Sequence, residues 1–324
     1  MKYKALFNPS HVQSFRTDFD AALRQPADRR DGEVYVYDAE EQVVLAVNVA
    51  LATGRPLLVF GPPGSGKSSL AANIARSLGW RYYETTVTSR TQAQDLLWHY
   101  DAIRRLADAH RQGSAASPQG GSEADLHRYI EPGIFWWAFD PDSARRRGWA
   151  DQQCPFPTAL DPANAGGAAA VVLIDEIDKA DPDLPNNLLV PIGSSSFTVV
   201  ETATVVRAET PPLIIITSNG ERDLPAAFLR RCIAVQLPEP NLQRLVTVAT
   251  THFGPDHDQL YRELAQKTFE LAAEYRRRGL RSPSAAEYLD VVRACLKLGI
   301  APESEVWQFL IRAALAKADS GSAV

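Results

Sequence analysis

One octapeptide constrains this chain more than anything else in it: Gly61-Pro-Pro-Gly-Ser-Gly-Lys-Ser68, which fits the spacing G-x-x-x-x-G-K-[ST]. It follows a short apolar run, Pro56-Leu-Leu-Val-Phe60, and precedes Leu70, Ile74 and Leu78, an apolar stripe at helical spacing that Gly79 ends. Strand, glycine-rich turn and helix in that order make a phosphate cradle. The glycines let the main chain wrap an oxyanion, the helix start supplies unpaired N–H groups, and Lys67 neutralises β/γ-phosphate charge. A Gly/Pro-rich turn with no ligand is the bland alternative, and the strand before and helix after argue against it.

A matching second half lies downstream. Val171-Val-Leu-Ile-Asp175-Glu176 is an apolar strand ending in two carboxylates, at the sheet edge where open α/β sheets bind ligands. Asp175 is expected to hold Mg²⁺ through water, with Ser68 as the other metal ligand, and Glu176 to take a proton from attacking water. Alone, an acidic pair after a strand is usually a solvated loop start; paired with the phosphate loop it becomes a site. Asp178 and Asp181 read as surface or helix-start charges.

The rest of the chain fits an α/β core followed by helices. Val43, Val44, Val47 and Leu51 mark a helix closed by Gly54, and Arg81–Val87, Leu213–Thr217 and Ile233–Leu237 read as further strands. Strands alternating with helices imply a parallel sheet covered on both faces. Residues 111–167 break the pattern: a Gly/Ser/Ala/Gln-rich stretch at 112–122 reads as a mobile loop, followed by Ile134-Phe-Trp-Trp-Ala-Phe139 and Arg145-Arg-Arg147, as in an insertion or surface excursion. Beyond Pro238 and Pro240 the periodicity is helical throughout, over roughly 242–252, 259–278, 284–298 and 303–317. The expected layout is an N-terminal extension (1–31), a nucleotide-binding core (32–237) with an insertion near 111–167, and a helical lid (238–324).

Composition removes several classes. In 324 residues, 34 Lys and Arg against 39 Asp and Glu give a net charge of −5, so the chain is no bulk neutraliser of nucleic acid. Cys154, Cys232 and Cys295 form no CxxC pair, and the six His show no metal-ligand spacing, so neither a disulfide framework nor a zinc site is expected. The opening MKYKALFNPS lacks a signal-peptide apolar region, and no apolar run approaches the ~20 residues of a membrane helix. A cytoplasmic protein without a membrane partner is expected.

GPPGSGKSS, VVLIDEIDKADPDLPNNLL and ITSNGERDLPAAFLRRC, in that order and followed by helices, resemble an AAA+ ATPase of the MoxR-like group over about residues 34–298. The resemblance implies a P-loop NTPase αβα sandwich with a parallel sheet, followed by a small all-helical lid domain. It implies ATP and Mg²⁺ as ligands, with Gly61, Pro62, Pro63, Gly64, Ser65, Gly66, Lys67, Ser68 and Ser69 around the nucleotide. Asn219 resembles sensor 1, an amide orienting water with Glu176; a turn Asn before Gly220 is the alternative. Arg230-Arg231 resembles the arginine-finger position, Arg231 acting and Arg230 supporting, or else a solvated pair at a helix end. Relatives often open a lid helix with Pro-Arg, the sensor 2 arginine. Here Ser284 stands in that place and forms a capping box with Glu287, so sensor 2 is missing or Arg281 substitutes.

Other features read more plainly. Residues 194–207 alternate like a hairpin, lining a central pore or extending the sheet. Trp98, Tyr100 and the Phe135–Phe139 cluster read as core or interface packing, and Arg145–Arg147 and Arg276–Arg278 as solvated charge. By resemblance, the leading function is an oligomeric ring, hexameric by expectation. It hydrolyses ATP to remodel or activate a protein partner, with a von Willebrand factor A-domain protein as the implied partner class. A nucleic-acid-acting motor or loader in a restriction or defence-type system is the alternative, although nucleic acid is not expected as a partner. A monomeric small-molecule kinase fits less well, because a kinase needs no arginine from a neighbour.

Overall fold

The computed structural model describes residues 4–9, 32–37, 42–112, 126–163, 167, 169–302 and 304–315. The apolar runs of the sequence become one parallel sheet of five strands. These are β1 (Leu57–Phe60), β2 (Arg81–Thr86), β5 (Ala170–Asp175), β8 (Leu213–Ser218) and β9 (Ile233–Gln236), in the order β2-β5-β8-β1-β9. Every residue of β5 and β8 is buried, as strands covered on both faces must be. The order sets β8 between β1 and β5. The architecture is the αβα P-loop NTPase fold with a helical C-terminal region.

The chain divides into two compact units. The first comprises Met1–Leu6, Ala46–Val59 and Leu78–Val235. Within it, the aromatic run Ile134–Phe139 is a helix with Phe135, Trp136, Trp137 and Phe139 all buried, packed on β2 and β5. This run, which the sequence allowed as core or interface packing within an insertion, is a layer of the core. Six residues give a helix whose last carbonyls need outside donors. The buried Arg81 supplies them, its Nη1 donating to Trp137 O at 2.8 Å and its Nη2 to Ala138 O at 3.4 Å. The loop expected at 112–122 lies outside the described residues except for Gln112, which ends the helix Ala102–Gln112.

Two small antiparallel ribbons complete this unit: β3 (Trp98–Tyr100) with β4 (Ile130–Pro132), and β6 (Ser196–Val199) with β7 (Thr204–Arg207). The β6–β7 hairpin forms its own two-stranded sheet and does not extend the main one. Phe197 anchors it, stacked on Trp98 with ring centroids 5.7 Å apart and planes 8° from parallel. Trp98 Nε1 donates to Glu201 at 2.8 Å, while Val200 and Val205 stay exposed. Of the basic triplet, only Arg145 fits the solvated reading, paired with Asp142 at 3.2 Å. Arg147 lies over the Phe156 ring and donates to Pro157 O at 2.6 Å.

The second unit comprises Phe7–Leu45, Phe60–Ser77 and Gln236–Val324. Its helices are α1 (Lys67–Leu78), α2 (Leu242–Phe253), α3 (Asp258–Arg277), α4 (Ala285–Leu298) and α5 (Glu305–Leu310). A π-helical turn, Ile311–Leu315, follows α5, and the rest of the expected 303–317 helix lies outside the described residues. The helical core gathers Leu245, Val246, Tyr261, Leu264, Tyr288, Val291, Cys295 and Trp307. Tyr288 satisfies its buried hydroxyl by donating to Tyr261 O at 3.1 Å. Within the segment expected to be an N-terminal extension, Phe7 is buried, its ring 5.9 Å from that of Tyr37. Among the described residues no helix is long and apolar enough to cross a membrane.

Candidate nucleotide site

The phosphate loop belongs to the second unit. Between β1 and α1 the chain turns through Gly64 and Gly66, at φ of +73° and +90°, values that residues with a Cβ avoid. Lys67 is buried, and its Nζ donates to Gly61 O at 2.8 Å and Pro62 O at 2.9 Å. The cation is thus folded back over the loop. Ser65 Oγ is buried with no hydrogen-bond partner among the described residues, an orphan of the kind a ligand oxygen satisfies. Ser68 and Ser69 lie half-buried in the first turn of α1. A curled glycine-rich loop, a buried ammonium and an orphaned hydroxyl fit a polyphosphate.

Residues 32–37 brace this loop, a feature the sequence did not announce. Asn73 of α1 donates through Nδ2 to Gly32 O at 2.8 Å and accepts from the Tyr37 hydroxyl at 2.6 Å. Tyr35 lies edge-on to Tyr37, ring centroids 4.8 Å apart, and burial pushes its phenol up to about 12.

The helical region supplies a second wall. Ser284 caps α4 in a complete box: its Oγ accepts from Glu287 N at 3.3 Å, and its N–H donates to Glu287 Oε2 at 2.7 Å. The same serine touches the phosphate loop, because a Cβ on Gly64 would stand 2.5 Å from Ser284 Cβ. A cavity of about 210 Å³ opens beside them, lined by Pro62, Gly64, Phe269, Arg276 and Arg281. Arg276 is held by Glu239 at 2.7 Å and is not merely solvated, whereas Arg281 lines the cavity with its side chain exposed.

The acidic residues belong to the first unit. Asp175 is buried at the end of β5, and the Thr217 hydroxyl of β8 donates to its Oδ1 at 2.5 Å. Thr217 Oγ1 also accepts the Glu176 N–H at 2.9 Å. One hydroxyl therefore fixes both acidic residues. Glu176 adopts left-handed backbone (φ 60°, ψ 47°), unusual for a residue with a side chain and found where a site dictates direction. Its carboxylate is ion-paired with Lys179 at 2.7 Å, and that hydrogen bond raises the lysine's pKa.

Asp178 corrects the sequence reading. It is 3% exposed, no surface charge, and its Oδ2 accepts the backbone N–H of both Asn219 (3.1 Å) and Glu221 (3.0 Å). Asp181 is exposed, as expected. Asn219 follows β8 directly, and Gly220 completes the turn with φ of +75°. Arg230 and Arg231 follow the one-turn helix Ala226–Leu229 and are both exposed just before β9.

Thr217, Lys179 and the anchoring role of Asp178 escaped the sequence reading. Lys179 alone had a local signal, its i,i+3 spacing from Glu176. Thr217 and Asp178 act across 41 or more residues, and no local pattern reports such pairs.

The Holliday junction branch migration complex subunit RuvB 2 of Synechococcus sp. (strain JA-3-3Ab) is 37% identical over 62 residues, 18% of this chain and 17% of that protein. A putative insertion sequence ATP-binding protein of Sinorhizobium fredii is 42% identical over 65 residues, 19% of this chain and 22% of that one. The chain thus covers only about a fifth of the length of these curated relatives. Among solved structures, a Thermotoga maritima RuvB variant aligns at a TM-score of 0.45 and 14% identity, covering 85% of this chain and 67% of that one. A putative ATPase from Cytophaga hutchinsonii aligns at 0.42 and 12%, covering 94% and 87%. Residues 56–232, more than half of the chain and the stretch from the phosphate-loop strand to the arginine pair, match the model of the AAA domain (dynein-related subfamily), and the chain belongs to that family.

Proposed function

We propose that this protein is an Mg²⁺-dependent ATPase of the MoxR-like kind, working as a hexameric ring that remodels or activates a protein partner. The observation that carries the reading is the Thr217 hydroxyl, which holds Asp175 and Glu176 in fixed register at the end of a buried strand. Such preorganisation suits a metal-bound water and a base, not a solvated loop start. The phosphate loop with its buried Lys67 supports the same reading.

Magnesium, when bound, neutralises charge on the β- and γ-phosphate oxygens. Ser68 and Asp175 are the oxygen donors we assign to it, a hard-donor pair suited to that ion. Lys67 leaves the loop carbonyls for phosphate oxygens. Glu176 exchanges its Lys179 partner for the attacking water and takes the proton. Asn219 orients that water, and Arg231, supported by Arg230, reaches the phosphate held by a neighbouring subunit. Residues 32–237 form the nucleotide core and 238–324 the lid in this scheme, and a von Willebrand factor A-domain protein is the partner class that the MoxR-like resemblance supplies.

The test is direct. Glu176→Gln is expected to bind ATP normally and lose nearly all hydrolysis, and Lys67→Ala to lose binding. Native turnover in Glu176→Gln overturns the base assignment. Mixing Arg231→Ala with Glu176→Gln protein is expected to restore turnover above the sum of the two, since some interfaces then pair both intact groups. A second reading, a nucleic-acid motor, draws on the names of the curated relatives, a Holliday junction branch migration subunit and an insertion sequence protein. Salt-sensitive stimulation of turnover by DNA favours it.

A further inference from the structure

Arg55 lies in the turn between Gly54 and Pro56, at the entrance to β1 and six residues ahead of Gly61, where the phosphate loop begins. Its guanidinium meets three consecutive main-chain carbonyls. Nε donates to Arg231 O at 3.2 Å, and Nη2 donates to Arg230 O and to Cys232 O, the latter at 3.1 Å. These carbonyls follow the one-turn helix Ala226–Leu229, whose end leaves them without helical partners. The matching N–H groups are satisfied within the turn: Arg230 N to Ala226 O, Arg231 N to Phe228 O and Cys232 N to Leu229 O. The ladder continues from the same place, Ile233 N donating to Pro56 O at 2.8 Å.

The segment is therefore fixed on the main-chain side while its side chains are left available. Among the described residues, neither the Arg230 nor the Arg231 guanidinium has a hydrogen-bond or ion-pair partner. Three exposed arginines thus share one edge, Arg55 bonded to the main chain of the other two, and like charges gathered in this way favour an incoming anion. The planar guanidinium holds its three N–H donors in fixed directions toward these acceptors, whereas a lysine ammonium offers a point charge on a flexible stem.

We propose that Arg55 is the positioning residue of the arginine finger, locking the backbone from which Arg230 and Arg231 project. The proposal rests on the finger reading given above. Its role is to fix direction: a finger displaced by about 1 Å can lose on the order of 10²-fold in rate with nucleotide binding intact. Arg55 touches no substrate of its own subunit in this scheme.

The experiment compares Arg55→Met, Arg55→Lys, Arg231→Ala and Glu176→Gln in steady-state ATP hydrolysis and in mixed assemblies verified by native mass spectrometry. Arg55→Met is expected to lower kcat at least about tenfold with KM for ATP held within about twofold, and Arg55→Lys to recover part of the loss. The mixtures separate a finger role from a cap that merely stabilises the subunit. Arg55→Met combined with Glu176→Gln is expected to regain activity above the sum of the separate proteins, because an intact finger then faces an intact base. Arg55→Met combined with Arg231→Ala is expected to regain none. The reverse pattern, or no gain in either mixture, overturns the proposal, as does a native kcat in Arg55→Met when Arg231→Ala is inactive. An Arg231→Ala protein as active as the native one overturns the finger reading itself, and the role of Arg55 with it.

Discussion

A buried carboxylate must find donors, and Asp178 finds them on the main chain of the segment that carries Asn219. Two N–H groups on one oxygen make this acid the anchor of the turn that follows β8. Replacing it with alanine leaves both amides unsatisfied, at about 1–3 kcal/mol each. Asp178→Ala is therefore expected to lower both unfolding stability and kcat, while Asp178→Asn, which keeps an accepting oxygen, retains most of each; urea titration and ATPase assays on both variants check this. The run Asp175-Glu-Ile-Asp-Lys179 shows how far residues were legible. The acidic pair could be read because an apolar strand precedes it and the phosphate loop precedes that. Asp178 could not, because its burial depends on a turn more than 40 residues further along the chain. The phosphate loop was fully legible for the opposite reason: its geometry is local, written in glycines whose positive φ the structure shows.

At the scale of elements, the capping box was predictable from four residues, Ser284 to Glu287, and it is complete. Its second duty was not. Ser284 abuts Gly64, so the helix start and the phosphate loop share one close contact. Ser284→Ala is expected to cost about 0.5–2 kcal/mol of stability with little change in ATP affinity. Denaturant unfolding and equilibrium binding of a nucleotide analogue measure the two effects separately. The aromatic run at 134–139 teaches a different lesson. Its composition could be read equally as interface or core, and only its packing on β2 and β5 decides the matter. The hairpin at 196–207 was legible as a hairpin by its alternation, yet its independence from the main sheet follows from a ring contact between Trp98 and Phe197, 99 positions apart.

For the whole molecule, alternation of strands and helices told of a parallel sheet, but strand order is set by distant pairings that no local pattern carries. Burial also gives the molecule a common response to alkali. It pushes the Tyr35, Tyr83 and Tyr261 phenols and the Cys232 thiol up to about 12, and the Cys295 thiol to about 11. Each acid is favoured neutral in the fold. Its contribution is complete below the unfolded value, 9.0 for the thiols and 10.0 for the phenols, and is lost as pH rises through the folded one. Urea midpoints followed by circular dichroism are expected to hold steady up to pH 9 and fall steeply toward pH 11. The two buried thiols carry one more consequence. Cys232 belongs to one compact unit and Cys295 to the other, so a thiol reagent finds a separate clock in each. Native-state labelling proceeds only as fast as each unit opens, and mass spectrometry of the two tryptic fragments dates those openings independently. Equal rates mean that the units open together, and a faster Cys295 means that the helical unit opens on its own.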